Sequence, residues 1–192
     1  LLARYRASGL PVVRTYGMTE TTGGCVYDGR PLGGTRLEIV DEEIVVSGPT
    51  VAAGYCGSAS GGAAHFDGRR LYTGDRGEIV DGQLVVRGRL DDVVAVRGAN
   101  VDRGAVERLL ASAPGVLEAA VAAVPDEIHG ARLIAYVVGQ ADPAVMRATV
   151  ADGLGSAAVP TVVTVPDLPR LPGGKVDLPS LMAEASQRPE GR

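Results

Sequence analysis

No stretch of this 192-residue sequence approaches the roughly 20 consecutive apolar residues that a membrane-spanning helix needs. No charged-then-apolar segment at its start resembles a secretion signal. Cysteine and histidine are scarce: Cys25 and Cys56 stand far apart without C-x-x-C spacing, and His65 and His129 are equally isolated. A metal centre built from His and Cys is therefore not expected, and the two thiols read as reduced and incidental in a cytoplasmic protein. A basic surplus is missing as well, since 19 Lys and Arg against 23 Asp and Glu leave a net charge of −4. That sign argues against nucleic acid or an anionic membrane as partner. The 27 glycines are about twice the usual share, yet no Gly-X-Y period runs through them, which excludes a collagen-like chain. Lysine is the rarest basic residue. Lys175 stands alone, and the other 18 basic residues are arginines. An ammonium on a flexible stem supplies a point charge that a guanidinium fork does not imitate, so a lone lysine here is a candidate for chemistry. The chain begins Leu1-Leu2 rather than with Met, and we expect it to be a piece of a longer protein.

What is present falls into two parts. Up to about residue 87, short β-branched runs alternate with Gly-rich turns. Residues 36–40 and 43–47 flank Asp41-Glu42, and residues 78–80 and 83–87 flank Asp81-Gly82, both in the pattern of β-hairpins. Asp-Gly is the stronger signal, because Gly accepts the positive φ of a type I′ turn. Between the hairpins, residues 57–64 read as a Gly-, Ala- and Ser-rich surface loop. Further on the periodicity lengthens. Asp102 can cap a helix over 103–112 with Val106, Leu109 and Leu110 on one face, stopped by Pro114-Gly115. Residues 117–124 and 133–138 have strand length, and a second helix from Pro143 is expected to bury Val145, Met146, Thr149 and Val150. Residues 161–165 make a third strand, 180–185 a short helix after Pro179, and the polar tail 186–192 is expected to fray. Strands alternating with helices predict a small α/β domain.

Five local patterns carry possible chemistry. They are Arg14-Thr15-Tyr16-Gly17-Met18-Thr19-Glu20-Thr21, Ser47-Gly48-Pro49-Thr50-Val51-Ala52-Ala53-Gly54-Tyr55, Leu71-Tyr72-Thr73-Gly74-Asp75-Arg76-Gly77, Gly88-Arg89-Leu90-Asp91-Asp92 running on to Arg97-Gly98, and Leu168-Pro169-Arg170-Leu171-Pro172-Gly173-Gly174-Lys175-Val176-Asp177. Singly each has a plain explanation: Thr-Gly-Asp is a turn, Gly-Arg-x-Asp-Asp a charged loop, Pro-Gly-Gly-Lys a mobile connection.

Together and in this order they resemble the successive core motifs of the adenylate-forming superfamily, which includes acyl-CoA synthetases, luciferases and the adenylation domains of peptide synthetases. The resemblance implies an α/β fold of α+β character. Residues 1–87 would be the β-rich end of a large N-terminal adenylation domain, 88–92 a hinge, and 93–192 a small mobile C-terminal domain. It also implies a reaction in which ATP adenylates a small-molecule carboxylate, releasing pyrophosphate, and the acyl group then passes to CoA. An anion attacking an α-phosphate calls for cations and oriented donors more than for an acid–base pair. On this resemblance Lys175 bridges the carboxylate and α-phosphate oxygens, Glu20 holds Mg²⁺, and Thr19 contacts the α-phosphate. Tyr16, with Gly17 beside it, packs on adenine, while Asp75 accepts the ribose hydroxyls and Arg89 also touches the ribose. Asp91 is the hinge, and Gly98 lines the tunnel for the CoA thiol arm.

The departures are as telling. The superfamily's Gly-, Ser- and Thr-rich phosphate loop lies upstream of the Tyr-Gly-x-Thr-Glu motif, and the 15 residues before Tyr16 do not form one. We therefore expect an N-terminal half outside this sequence, and expect the piece alone to be inactive. Glu42-Glu43 replaces the usual Gly-Glu, and the Pro and Thr after Gly54-Tyr55 are lost. Residues 19–34, TETTGGCVYDGRPLGG, are similar to the o-succinylbenzoate–CoA ligase branch, which serves menaquinone biosynthesis. Alternatives are another acyl- or aryl-CoA ligase, a fatty acyl-AMP ligase or, in a different class, a non-catalytic nucleotide- or partner-binding remnant. A peptide-synthetase module is less expected, because nothing after Lys175 resembles a carrier domain. Oligomerisation is left open.

Overall fold

The computed structural model describes residues 8–56 and 64–187; most of the loop read at 57–64 and the end of the tail read at 186–192 lie outside the described residues. The chain divides into two compact units, Leu1–Asp91 and Asp92–Arg192.

The first unit is built from strands. β1 (Thr15–Met18), β2 (Gly23–Tyr27) and β3 (Arg30–Pro31) form an antiparallel meander. β4 (Arg36–Val40), β5 (Glu43–Ser47), β6 (His65–Asp67) and β7 (Arg70–Val80) form a second sheet in the order β4-β5-β7-β6, with β8 (Gln83–Arg89) also paired to β7. The expected hairpins at Asp41-Glu42 and Asp81-Gly82 are present, and both residues of each turn have positive φ (48° and 68°, 50° and 72°). These are type I′ turns, whose twist matches that of the strands they join. Asp28-Gly29 makes a third (46° and 80°), which the sequence reading had not singled out. Cys25, Val26, Ile44, Val46 and Leu84 form the small core of this unit. The Thr-Gly-Asp segment, expected as a turn, lies inside the 11-residue strand β7.

The second unit opens with a hairpin of β9 (Val93–Val96) and β10 (Ala99–Asp102), followed by α1 (Arg103–Ala111), β11 (Val116–Asp126), β12 (Gly130–Gly139), α2 (Pro143–Leu154), β13 (Thr161–Thr164) and α3 (Leu178–Gln187). β11 and β12 are antiparallel, and β13 joins β12 in parallel after the α2 crossover. Strand alternation divides the core. Val121, Leu133, Ala135 and Val137 face Val106 and Leu110 of α1 and Met146 and Val150 of α2. Ala120, Ala122, Val124, Ile134 and Tyr136 face Leu181 and Ala185 of α3. Asp102 caps α1 as expected, accepting the Ala105 N–H at 2.8 Å.

Three expectations need correction. Val145 is 57% exposed rather than part of the buried stripe, because only Met146 and Val150, four residues apart, face the sheet. α3 begins at Leu178 with Pro179 in its first turn, where no backbone donor is needed. It also runs through Ser186, whose hydroxyl donates to the Met182 carbonyl at 2.8 Å. The segment holding Gly98, to which the sequence assigns no element, is a β-hairpin with Arg97-Gly98 as its turn (φ 51° and 79°).

Candidate active site

The centre of the first unit is a bulge in β7. Glu43 and Val45 of β5 pair with Arg76 and Tyr72, so Thr73, Gly74 and Asp75 stand opposite the single residue Ile44. Gly74 takes φ 71°, a left-handed value that suits glycine. Side chains replace the lost ladder bonds. The Thr73 hydroxyl donates to the Ile44 carbonyl at 2.8 Å and accepts the Asp75 N–H at 3.1 Å, while the Gly74 N–H donates to Glu43 Oε1 at 2.8 Å. Bulges of this kind aim side chains at functional sites. Here the aimed group is Asp75, whose side chain is only 12% exposed.

Two strands converge on that carboxylate. Tyr16 Oη on β1 donates to Asp75 Oδ2 at 2.8 Å, and Arg89 Nη1 at the end of β8 donates to Oδ1 at 3.1 Å. Asp75 and Arg89 are direct cross-strand partners, so sheet register sets their meeting. Arg89 turns its other edge to Asp91, with Nε to Oδ1 at 2.8 Å and Nη2 to Oδ2 at 3.2 Å, a bidentate fork. Burial pushes the Asp75 carboxyl above its usual range, although the Tyr16 hydroxyl and the Arg89 charge pull the other way. Burial also lifts the Tyr16 phenol far above its usual value, so it stays a donor. Beside Tyr16, a cleft of about 340 Å³ is lined by Val26, Leu84 and Val86, within the size range of small-ligand sites.

Next to β1 the chain makes a single 3₁₀ turn, Thr19–Thr21. Thr21 is buried and fixes it, accepting the Met18 N–H at 2.9 Å and reaching the Gly23 carbonyl at 2.7 Å. Glu20 is held at both ends: its carbonyl accepts the Ala52 N–H at 2.8 Å, and its Oε1 accepts the Tyr55 hydroxyl at 2.7 Å. That bond to Glu20 is the main reason the Tyr55 phenol is pushed up to about 12. Thr19 is exposed. Gly17 has a backbone reason to be glycine, since a Cβ there would lie 2.0 Å from the Gly23 carbonyl oxygen.

The second unit carries the remaining candidates. Asp92, its first residue, pairs with Arg103 of α1, and Arg103 Nη1 also donates to the Val121 carbonyl at 2.6 Å. Gly98 occupies the second position of its hairpin turn, where a Cβ would meet nothing within 4 Å. Its positive φ favours glycine by itself. Lys175 is exposed, and no carboxylate among the described residues pairs with it.

Of the sequence-derived candidates, then, Tyr16, Asp75, Arg89 and Asp91 form one hydrogen-bonded chain, and Thr19 and Glu20 follow two residues beyond Gly17. Gly98 and Lys175 belong to the other unit. The sequence reading assigned no part to Thr73, Glu43 or Tyr55, the groups that hold Asp75 and Glu20 in place. Thr73 and Tyr55 lie inside quoted motifs, and Glu43 belongs to the Glu42-Glu43 pair noted above, which are the signals the sequence carries for them.

Residues 105–175 match the family of the AMP-binding enzyme C-terminal domain. Over those residues the chain carries that domain, and over most of its length it is similar to adenylate-forming enzymes. It is 39% identical over 186 residues to the probable 2-succinylbenzoate–CoA ligase of Mycobacterium tuberculosis, covering 92% of this chain and 48% of that protein. Thus the chain spans about half the length of that relative. It is also 35% identical over 226 residues to the probable non-canonical nonribosomal peptide synthetase CymA of Salinispora arenicola, covering 100% of this chain and 3% of that protein. Among solved structures, O-succinylbenzoate Coenzyme A synthetase of Bacillus subtilis in complex with AMP is similar with a TM-score of 0.79 at 28% identity, covering 94% of this chain and 42% of that one.

Proposed function

We propose that this chain forms part of an AMP-forming acid–CoA ligase acting on o-succinylbenzoate, with residues 88–92 as hinge between its two domains. The observation that carries the reading is the convergence of Tyr16 and Arg89 on the buried Asp75, with Asp91 holding the other edge of Arg89. A carboxylate has about four lone-pair positions. Tyr16 and Arg89 take two, which leaves two for a ribose diol. The Tyr16 ring then offers a face to adenine, and the hydroxyl of Thr19 a donor to the α-phosphate. Among the described residues no three His, Cys, Asp or Glu side chains cluster as a metal site. Glu20 alone therefore fits Mg²⁺ as one oxygen ligand of an ion otherwise held by phosphates and water, the usual manner of that hard cation. The ion would neutralise phosphate charge. Lys175 would bring its ammonium to the carboxylate and α-phosphate oxygens, and Gly98 would leave room for the CoA thiol arm. The branch assignment is supported by the similarity to 2-succinylbenzoate–CoA ligase.

The test is CoA-thioester formation from o-succinylbenzoate with ATP and Mg²⁺, using the chain joined to the upstream part of its protein, with decanoate and benzoate as competitors. Preference for o-succinylbenzoate is the expected result. Turnover of the competitors alone would keep the chemistry and discard the substrate. No turnover of any acid would favour the non-catalytic remnant.

A further inference from the structure

Lys175 sits in a miniature hairpin that has almost no packing of its own. Arg170 and Val176 form an isolated antiparallel bridge. The Leu171 N–H donates to the Lys175 carbonyl at 2.8 Å, the Gly174 N–H to the Leu171 carbonyl at 2.8 Å, and the Asp177 N–H to the Pro169 carbonyl at 2.7 Å. Residues 169–175 are exposed, and the preceding Leu168 is the buried anchor. A Cβ on Gly173 or Gly174 would meet nothing within 4 Å, so no neighbour steadies the tip. Two short strands alone are marginal in water.

One side chain ties this hairpin back to the sheet. Arg170 Nη1 donates to the Gly174 carbonyl at 2.9 Å, while Nη2 reaches Glu118 Oε1 at 2.7 Å and Oε2 at 2.6 Å. Glu118 lies on β11, next to an irregularity in its pairing with β12. The Gly174 carbonyl belongs to the peptide group from which Lys175 starts. Arg170 thus holds the plane that launches the lysine, and Glu118 holds Arg170. The two side chains are 40% and 43% exposed, a setting in which an ion pair adds little to global stability. Its effect is local order.

We propose that Arg170 is a positioning residue for Lys175, with Glu118 as its anchor. Together they narrow the space the ammonium samples, so less freedom is lost when it meets the reacting oxygens. This rests on the reading of Lys175 given above, and the experiment separates the two.

Hydrogen exchange on the 192-residue chain reads the strap directly. In Arg170→Ala the amides of Leu171 and Gly174 are expected to exchange about tenfold faster with the melting temperature unchanged. In the longer protein, Arg170→Ala should lower kcat of adenylation about tenfold and leave KM for ATP alone. Glu118→Ala should do the same, and the double variant should be no worse than either single one. Unchanged exchange, additive losses, a wild-type adenylation rate or a large fall in melting temperature would each overturn the proposal. A Lys175→Ala variant that still adenylates would sink the role given to Lys175, and the exchange result would then judge the strap by itself.

Discussion

In the second unit a three-stranded sheet is covered on both faces, by α1 and α2 on one side and α3 on the other, so alternate residues of β11 and β12 all find apolar partners. The first unit has more strands but a smaller core, with eight buried apolar residues among those described against nineteen in the second, and Ile79, Val80, Val86 and Tyr27 are each more than two-fifths exposed. Its order comes from elsewhere: positive-φ turns, a bulge closed by Thr73 and Glu43, and a carboxylate shared by Tyr16 and Arg89. Burial of apolar area is non-directional and stabilises without much geometric demand. Hydrogen-bonded polar wiring contributes less net stability per contact but sets directions. The unit with the better core presents a lysine on an exposed turn, and the unit with the poorer core holds a buried carboxylate to tight distances.

The largest expected effect tests the packing half of this contrast. Residues 92–192 alone should unfold cooperatively in urea, and Leu110→Ala, fully buried against β11 and β12, should lower their stability by about 2–5 kcal/mol. A gradual transition would break the comparison. Next comes the division of labour between units. Lys175→Ala should slow adenylation by the full enzyme about 10²- to 10³-fold, while thioester formation from a pre-made acyl-adenylate continues. Asp91→Pro should show the reverse bias, slowing the second half-reaction more. Equal losses in both half-reactions would contradict the proposed hinge at Asp91. Third, Thr73→Val keeps the shape of a fully buried side chain but strips the bulge of one donor and one acceptor. It should cost about 1–3 kcal/mol by urea denaturation, and a neutral result would mean that the polar wiring is dispensable.

The smallest effect is in pH. Burial makes Asp75 bind its proton more tightly in the folded chain than in the unfolded one. Its contribution to stability is therefore complete below the unfolded value of about 3.9 and is lost as pH rises through the folded value. Relative to wild type, Asp75→Asn should gain stability between about pH 4 and pH 7, read from urea midpoints at both. A constant difference would mean that Tyr16 and Arg89 fully offset the burial.

Legibility followed the range of the physics. Asp41-Glu42 and Asp81-Gly82 were readable because a two-residue turn is local, and the Asp102 cap for the same reason. Arg97-Gly98 carries a weaker signal of this kind, because only one residue of the run 99–102 that follows is β-branched. Thr73-Gly74-Asp75 reads as a turn because each residue favours one. That it is a bulge depends on β5, some 30 residues earlier in the chain, as the 29-residue separation of Thr73 from Ile44 shows. Val145 misled because hydrophobic spacing marks a helix face but does not say how wide a face its sheet covers. The grouping of Tyr16, Asp75 and Arg89 came only from motif order, since nothing local links residues 59 positions apart. Tyr55 and Glu43 are not legible as supports, because a hydroxyl in a loop and a carboxylate at a strand end have many plausible partners.

The count of the β7 bulge bears on inheritance. Three residues opposite one leave two in excess, an even number, so Leu71, Thr73, Asp75 and Gly77 keep one parity across the bulge and all are buried, as is Gly74 within it. Deleting or inserting one residue between Tyr72 and Arg76 would reverse the parity downstream and hand the place of Asp75 to a neighbour facing the other way. A change of two would preserve it. A change of length that keeps Asp75 in place would therefore come in even steps, and substitution would be the easier route by which the segment could change.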